Sequence, residues 1–299
     1  LLRLSDAAMY RAKEAGRDNM QIYNEGLRRR FDERVKLATE LRHALERGEF
    51  AMRYQLQADL KSGAIMSMEA LLRWQHPELG EIGPNRFIPI AEESGLIEPI
   101  SDWMMQQACR QNKEWQDAGL LPVQIAVNLS AKELACSGLK TRIARCLAAT
   151  RLDPAWLELE LSESASMTNL HKILPLMQKL TELGIALSID DFGAGYSNMQ
   201  YLQRLPVKKL KLNGSFIGDI ASNPGSLALT DALVGVAHRL GMKVVAKMAE
   251  TEDQVALLIA CGCDQAQGFY FSQPLCAEEC AQLLSMGHMP LPPAATLHR

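Results

Sequence analysis

The chain has 299 residues, of which 47% are hydrophobic and 22% are charged, and its formal net charge is −3. A chain of this length can form one large domain with a sizeable core, plus a shorter attached segment. The small negative charge excludes an overall basic field that would attract nucleic-acid polymers or an anionic membrane, so any phosphate has to be bound by local groups.

The first residues and the cysteines indicate the cellular context. No apolar run reaches the ~18 residues that a bilayer span requires, and the chain starts with neither an initiator methionine nor a signal peptide. We therefore expect a cytoplasmic piece of a longer protein, without membrane contact of its own even if the parent is membrane-tethered. Seven cysteines without a regular framework favour a reducing compartment.

Four of these cysteines, Cys261, Cys263, Cys276 and Cys280, raise the alternative of a zinc site. Their spacing lacks the usual knuckle turns, so buried thiols are the favoured interpretation.

The first predicted element is a helix within residues 5–19 that ends at Gly16. Its string AMYRAKEAGR resembles the C-terminal end of a GGDEF (diguanylate cyclase) domain, and an ordinary amphipathic helix is the alternative. We expect residues 1–24 to be the C-terminal remnant of such a domain, without its nucleotide-binding part.

Residues 25–48 are predicted to form a linker helix. The stretch 28–47 is charged, lacks glycine and proline, and carries apolar residues at helical spacing.

From residue 49 to residue 288, short apolar runs alternate with helix-length segments, which predicts an α/β fold, a TIM (β/α)₈ barrel. The predicted strands are 50–58, 65–74, 123–128, 156–160, 186–190, 208–212, 243–246 and 266–269, and the main predicted helices are 100–117, 132–149, 171–183, 226–240 and 252–260. The first two strands are joined only by residues 59–64, too short for a helical crossover, so we expect a modified barrel with the first strand antiparallel. The proline-rich residues 289–299 are predicted to be a flexible tail.

Acids and an amide recur where the predicted strands end: Glu69, Asn128, Glu160, Glu163, Asp190 and Asp191. One such residue alone is commonly a helix cap or a solvated loop residue. In a β/α barrel, however, functional side chains lie at the C-terminal ends of the strands. Because hard divalent cations take oxygen ligands, the repeated pattern predicts a polar cluster typical of a two-metal hydrolase.

Residues from about 31 to 285 resemble an EAL domain, the cyclic di-GMP phosphodiesterase family. The matching runs are Glu69-Ala70-Leu71, Leu72-Arg73-Trp74-Gln75-His76-Pro77, Phe87-Ile88-Pro89-Ile90-Ala91-Glu92, Val127-Asn128-Leu129-Ser130, Asp190-Asp191-Phe192-Gly193-Ala194-Gly195-Tyr196-Ser197, Leu205-Pro206-Val207 and Gln267-Gly268-Phe269. The resemblance also implies a barrel with one reversed strand.

The resemblance implies a first Mg²⁺ or Mn²⁺ with four oxygen ligands, and a second cation held or bridged by Asp191. The implied ligands of the first cation are Glu69, Asn128, Glu160 and Asp190.

For the remaining site residues, the resemblance implies roles in catalysis and in substrate binding. Lys211 would offset negative charge near the attacking water, with an ordinary surface lysine as the alternative. Arg73 would clamp a substrate phosphate, with a structural ion pair as the alternative. Gln267 and Leu71 correspond to substrate-binding positions, and Glu163 would steady the loop 191–197, which the family links to a dimer interface.

One position departs from the family pattern with a reversal of charge. The family run Ala-Glu-Gly-Val-Glu is here Ala246-Lys247-Met248-Ala249-Glu250, so a catalytic acid has become Lys247. At ~4 Å and an effective dielectric constant near 20, one contact between unit charges is worth about 4 kcal/mol, which disfavours a second cation. Alternatively, Lys247 pairs with the carboxylates and partly replaces the charge of a metal.

Milder departures are Leu56, where proline is common, and Asn213-Gly214, where the family typically has an aspartate and a basic residue.

These features leave three hypotheses. The first is a metal-dependent enzyme that hydrolyses cyclic di-GMP to linear pGpG, with activity weakened by Lys247. The second is a catalytically inactive EAL domain that acts as a cyclic di-GMP receptor or regulatory module. The third is a barrel without any nucleotide role, since a fold alone does not dictate function.

Overall fold

The computed structural model of the protein describes residues 25–136, 138–167, 170–193 and 199–295. The chain divides into two compact units, one with residues up to 51 and 73–100, the other with 52–72 and the residues from 101 onward. The resemblance to a cyclase remnant concerns residues 1–24, which lie outside the described residues.

The second unit is built on a closed sheet. Its parallel neighbours follow in the order β2, β4, β5, β6, β7, β8 and β9, and β1 pairs with both β9 and β2. The strands are β1 (Phe50–Asp59), β2 (Ile65–His76), β4 (Gln124–Leu129), β5 (Leu157–Ser162), β6 (Ala186–Phe192), β7 (Lys209–Leu212), β8 (Lys243–Ala246) and β9 (Gln265–Ala266), with β3 (Gly80–Ile82) described below. Because β1 is antiparallel to β9, with Ala58 opposite Ala266, the predicted barrel with an antiparallel first strand is confirmed.

Most helices lie between strands along the chain, as in a β/α barrel, whereas the first helix precedes β1 and the last follows β9. They are α1 (Glu25–Ala44), α2 (Pro84–Ser94), α3 (Ile97–Asp117), α4 (Ala131–Ala135), α5 (Leu139–Thr150), α6 (Glu163–Met167), α7 (Leu170–Thr181), α8 (Met199–Leu202), α9 (Gly214–Gly218), α10 (Pro224–Arg239), α11 (Glu252–Ala260) and α12 (Ala277–Met286). Strands β4 to β8 are mostly buried along their length, since parallel strands in such folds are covered on both faces. None of the helices described is both long and apolar enough to cross a membrane.

Two predicted elements differ from the structure. The predicted strand 266–269 is shorter in the structure, where it consists of Gln265–Ala266. It ends there because the backbone of Gly268 lies against the segment that follows β8, so close that a Cβ on Gly268 would be 2.1 Å from the Ala249 carbonyl oxygen. The predicted helix 132–149 is divided into α4 and α5, and Gly138 between them has a positive φ of 96°, which does not belong to a continuous α-helix.

The first unit has a small core of its own. The rings of Phe50, Trp74 and Phe87 lie with centroids 5.8 to 6.3 Å apart, and the Trp74 indole donates a hydrogen bond to Glu49 Oε2 at 2.9 Å. Strand β3, which the sequence patterns did not predict, pairs antiparallel with the end of β2 and places Ile82 opposite Trp74.

The segment predicted as a flexible tail makes backbone contacts within the second unit. Met289 N donates to Gly63 O at 2.7 Å, and Ala295 N donates to Ala256 O at 3.0 Å. Residues 296–299 lie outside the described residues, and the proposed domain boundaries stay a prediction.

Candidate active site

The predicted site residues of the second unit lie at or near the C-terminal ends of neighbouring parallel strands. Asn128 of β4 lies beside Glu160 of β5, and Ser162 of β5 lies beside Asp190 of β6. Lys211 is in β7, and Lys247 directly follows β8. Because parallel strands end at the same side of a barrel, these side chains meet at one mouth.

A buried group that we call the inner cluster consists of Glu69, Glu160 and Lys211. The Lys211 ammonium donates a hydrogen bond to Glu160 Oε1 and lies 3.4 Å from Glu69 Oε2. The Lys211 and Glu160 side chains are fully buried, and that of Glu69 is 5% exposed. A lysine at this depth is therefore part of the site and not a surface residue.

The inner cluster shifts the pKa of each of its members. Burial acts to raise the pKa of Glu69, but Lys211, Lys247 and two amide donors lower it to about 2. Burial and the neighbouring Glu69 carboxylate raise the pKa of Glu160 well above its usual range. Burial acts to lower the pKa of Lys211, but the carboxylates around it raise it. Glu69 is thus the ionised acid, and Glu160 is the acid that most readily holds a proton.

Both oxygens of Glu69 accept hydrogen bonds from side-chain amides. Asn128 Nδ2 donates to Oε1 at 2.9 Å, and Gln267 Nε2 donates to Oε2 at 2.6 Å. Amide donors on a carboxylate favour its charged form and fix its orientation.

A second group, the outer cluster, consists of Asp190, Asp191 and Lys247. Lys247 Nζ lies 2.9 Å from each carboxylate oxygen of Asp190 and 3.1 Å from Asp191 Oδ1. Burial acts to lower the pKa of Lys247, but Asp190, Glu69 and Asp191 raise it, so its ammonium is charged. The ammonium of Lys247, the residue that departs from the family pattern, therefore lies between the two aspartates and pairs with both.

The backbone around Lys247 is held from both sides. Lys247 N donates to Leu212 O at 3.4 Å, and Ala249 N donates to Gln267 O at 3.1 Å. Met248 has a positive φ of 60° and packs on Gly214, where an added Cβ would be 2.2 Å from the Met248 sulfur. These contacts use the backbone and Met248, so the position of residue 247 does not depend on its own side chain.

Glu163 contacts the start of the loop that it is predicted to steady. Its Oε2 accepts a hydrogen bond from Gly193 N at 2.9 Å. Gly193 has φ 92°, and a Cβ there would lie 2.2 Å from the Phe216 ring, so a glycine is required. Residues 194–198 of the loop lie outside the described residues.

Two predicted substrate-binding residues lie on β2. Arg73 belongs to the first unit, where its Nε is 3.5 Å from Glu81 Oε1. Leu71 belongs to the second unit and is partly buried. Their proposed contacts with a substrate stay predictions.

The donor types around the inner cluster fit one hard cation. In this arrangement the ammonium groups hold the carboxylates, and no three of the described His, Cys, Asp and Glu side chains are grouped as a metal site. However, Glu160 Oε2 is buried and has no hydrogen-bond partner, so an oxygen donor is left over there. The outer cluster does not fit a second cation, because the Lys247 ammonium lies between its two aspartates and offsets one of their two negative charges.

Three polar residues inside the barrel were not predicted from the sequence to belong to the site: Gln55, Gln57 and Ser67. Each is buried, and all three belong to a hydrogen-bonded group around Gln267. Two glutamines at positions i and i+2 of a strand lie on the same face, which is the signal that could have indicated them.

Comparisons with known proteins agree on one family. A family model described as the EAL domain matches residues 38–274. The Pseudomonas aeruginosa protein named bifunctional diguanylate cyclase/cyclic di-GMP phosphodiesterase MucR is 39% identical over 275 residues, which cover 92% of this chain and 40% of that protein. The cyclic di-GMP phosphodiesterase NbdA of the same organism is 38% identical over 275 residues, covering 92% of this chain and 35% of its own length.

A solved structure also matches this chain. It is described as the PaMucR phosphodiesterase in a c-di-GMP complex, and it superposes with a TM-score of 0.79 at 40% identity. The match covers 82% of this chain and 99% of that one. The chain spans less than half of the length of the two curated relatives.

Proposed function

Because the chain belongs to the EAL domain family, we propose that its barrel binds cyclic di-GMP and hydrolyses it to linear pGpG, with a turnover that Lys247 lowers. The relatives named as cyclic di-GMP phosphodiesterases support the substrate and the reaction.

The observation that carries the enzymatic proposal is the buried contact of Lys211 with Glu69 and Glu160. A charged ammonium held in a water-poor site is preorganised to stabilise the negative charge that develops on a phosphoryl group. Because the carboxylates hold the ammonium before substrate arrives, little reorganisation is needed during the reaction.

We propose that one Mg²⁺ or Mn²⁺ completes the site, with Glu69, Asn128, Glu160 and Asp190 as its ligands. The oxygen donors and the unpartnered Glu160 Oε2 support this assignment. When bound, such a cation supplies Lewis acidity toward a phosphoryl oxygen. Because Lys247 contacts both oxygens of Asp190 and one oxygen of Asp191, Asp190 would join this ligand set, and Asp191 would share a second cation, only if Lys247 moved away.

The second candidate function is a receptor that binds cyclic di-GMP without efficient hydrolysis. The ion pairs of Lys247 with Asp190 and Asp191 favour it, because they place a fixed positive charge where a catalytic cation would be needed. Such a site would bind the dinucleotide with little dependence on metal.

One experiment distinguishes the two candidates. Cyclic di-GMP binding by calorimetry and pGpG formation by chromatography are measured on one sample of the 299-residue chain, with and without Mn²⁺. For the enzyme we expect slow, Mn²⁺-dependent pGpG formation, and for the receptor we expect binding without product. Absence of binding under both conditions would contradict both candidates.

The variant Lys247→Glu tests the effect of the lysine directly. We expect it to raise Mn²⁺-dependent kcat by about tenfold or more, equivalent to about 1.4 kcal/mol of activation free energy. Lys243→Glu is a matched control, because Lys243 is exposed at the other end of β8 and the charge change is the same. Hydrolysis that responds equally to both substitutions would contradict the assigned role of Lys247.

For the longer protein, we propose that residues 1–24 are the end of a GGDEF domain, 25–48 a linker helix, 49–288 the EAL barrel and 289–299 a tail, which the backbone hydrogen bonds of Met289 and Ala295 attach to the barrel. The diguanylate cyclase part of the MucR name supports this order. All seven cysteines are free, which supports a cytoplasmic location. We also propose a homodimer through the barrel domain, testable by light scattering of the purified chain.

A further inference from the structure

A line of hydrogen bonds crosses the interior of the barrel and ends on Glu69. Ser67 Oγ donates to Gln57 Oε1 at 2.7 Å, Gln57 Nε2 donates to Gln267 Oε1 at 3.2 Å, and Gln267 Nε2 donates to Glu69 Oε2 at 2.6 Å. All four residues are buried, and Ser67 and Gln57 have no exposed surface. We call Ser67, Gln57 and Gln267 the amide relay.

The direction of the amide relay follows from the charge at its end. An ionised carboxylate only accepts hydrogen bonds, so Gln267 has to present its NH₂ group to Glu69. The Gln267 carbonyl then faces Gln57, which has to present its own NH₂ group. The Gln57 carbonyl in turn faces Ser67, whose hydroxyl donates. One ionised group thus sets a single orientation for every member.

A second contact supports the same orientation of Gln267. Its Nε2 also donates to Gln55 Oε1 at 3.0 Å, and Gln55 Nε2 donates to Ser272 O at 2.9 Å. Among the contacts described, the side-chain carbonyl oxygen of Gln267 accepts a hydrogen bond only from Gln57. Loss of the Gln57 donor would leave a buried carbonyl oxygen without a hydrogen-bond partner, which is unfavourable.

We propose that Gln57 and Ser67 are positioning residues of the active site, which hold the Gln267 amide so that its NH₂ group faces Glu69. Their role deepens the proposed function and rests on it, since Glu69 is a proposed cation ligand. Interior positions of such barrels are usually filled by branched apolar side chains, so a buried glutamine here requires the hydrogen bonds it makes. Through Gln267, these two residues fix the orientation of the Glu69 carboxylate.

The test compares two substitutions to methionine on neighbouring residues. Gln57→Met removes both polar groups at similar length, while Leu56→Met is the matched control, since Leu56 is equally buried and adjacent residues of a strand point to opposite faces. The spectroscopic readout is the side-chain amide signal of Gln267 in glutamine-labelled full chain, measured by NMR without metal. We expect Gln57→Met to shift or broaden this signal and Leu56→Met to leave it in place. An unchanged Gln267 signal in Gln57→Met would overturn the proposal.

Mn²⁺ affinity, measured by titration, connects the amide relay to the site. We expect Gln57→Met to weaken Mn²⁺ binding by about 10-fold to 100-fold, as for other residues that orient a metal ligand. Since Gln57 acts through Gln267, the double variant Gln57→Met/Gln267→Met should bind Mn²⁺ no more weakly than Gln267→Met alone. Independent, additive losses would contradict the positioning role, as would a lowered urea midpoint with unchanged Mn²⁺ affinity.

Failure of the proposed function has a different signature. In that case the unsubstituted chain would bind neither Mn²⁺ nor cyclic di-GMP. The NMR comparison of Gln57→Met with Leu56→Met would still decide whether the amide relay orients Gln267.

Discussion

Two Glu–Lys pairs lie in successive layers on the same two strands of the barrel. In the lower layer, Lys209 Nζ contacts Glu158 Oε2 at 2.5 Å, and in the upper layer Lys211 contacts Glu160. Residues two apart on a strand share a face and are separated by about 7 Å. The two layers therefore have the same chemistry at different depths of one barrel.

The layers differ in what surrounds each pair. In the lower layer, one ammonium faces one carboxylate, so the charges of Lys209 and Glu158 balance. The second partner of Lys209 is neutral, namely Gln124 Oε1 at 3.1 Å. In the upper layer, Glu69 and the outer cluster add acids, and Lys211 alone does not neutralise them. We infer that a buried ion pair whose charges balance has a structural role. Where negative charge remains in surplus, as in the upper layer, the pair is part of a site that attracts a cation or the Lys247 ammonium.

The largest effect is expected from Lys211→Met in the upper layer. Hydrolysis should fall by about 10²- to 10³-fold, since one preorganised group that stabilises the transition state is lost. The free energy of unfolding should also fall by about 3–5 kcal/mol, because buried carboxylates lose their partner. Product chromatography and urea unfolding measure the two effects, and retained turnover would contradict the role of Lys211.

Lys209→Met makes the same change in the lower layer. It should lower the free energy of unfolding by about 3 kcal/mol, because Glu158 would be left buried without its ion pair. Turnover per folded molecule should be unchanged. If activity fell as much as in Lys211→Met, the distinction between the layers would be wrong.

Acid titration of Glu69 tests how much its negative charge in the upper layer contributes to stability. Its pKa is lowered from 4.5 to about 2 on folding, so its contribution to stability is complete above pH 4.5 and is lost as the pH falls toward 2. The contribution is worth about 3 kcal/mol. The raised pKa of Glu160 acts in the opposite direction, since folding then takes up a proton.

Glu69→Gln isolates this contribution. In EDTA, the wild-type chain should be more stable than the variant near pH 6, and the difference should shrink as the pH approaches 2. Urea unfolding across this range measures it. A difference that is independent of pH would show that the Glu69 charge contributes nothing to folding.

The smallest effect is expected from Gln124→Met, which removes the neutral partner of the lower layer. Loss of the hydrogen bond from Lys209, together with that from Gln124 Nε2 to Ala155 O, should lower the free energy of unfolding by about 1–2 kcal/mol. Turnover should stay unchanged. A loss of activity would show that the lower layer is coupled to the site.

Much of the fold followed from local patterns in the sequence. Alternating apolar runs and helix-length segments predicted the barrel, and the short link 59–64 predicted the antiparallel first strand. Strand β3 and the early end of β9 did not follow, because a three-residue strand has little pattern of its own and β9 ends where Gly268 meets Ala249, a tertiary contact.

The candidate site followed only as a set of residue types at strand ends. Which acid each lysine contacts could not be predicted, since Lys211 and Glu69 are 142 residues apart in the chain. The amide relay was missed for a related reason. Gln57 and Ser67 lie on separate strands, and their sequence positions do not show that the closed barrel brings both of them near Gln267.

The backbone frame around residue 247 has a consequence for how this domain can change over generations. Lysine and glutamate codons differ at a single base, and the backbone from Ala246 to Ala249 is held by main-chain hydrogen bonds with Leu212 and Gln267, which do not involve the side chain at position 247. A point mutation could therefore exchange an ammonium for a carboxylate without refolding the loop. One substitution at position 247 would then convert the site between the two candidate functions proposed above, a cyclic di-GMP receptor and a cyclic di-GMP hydrolase.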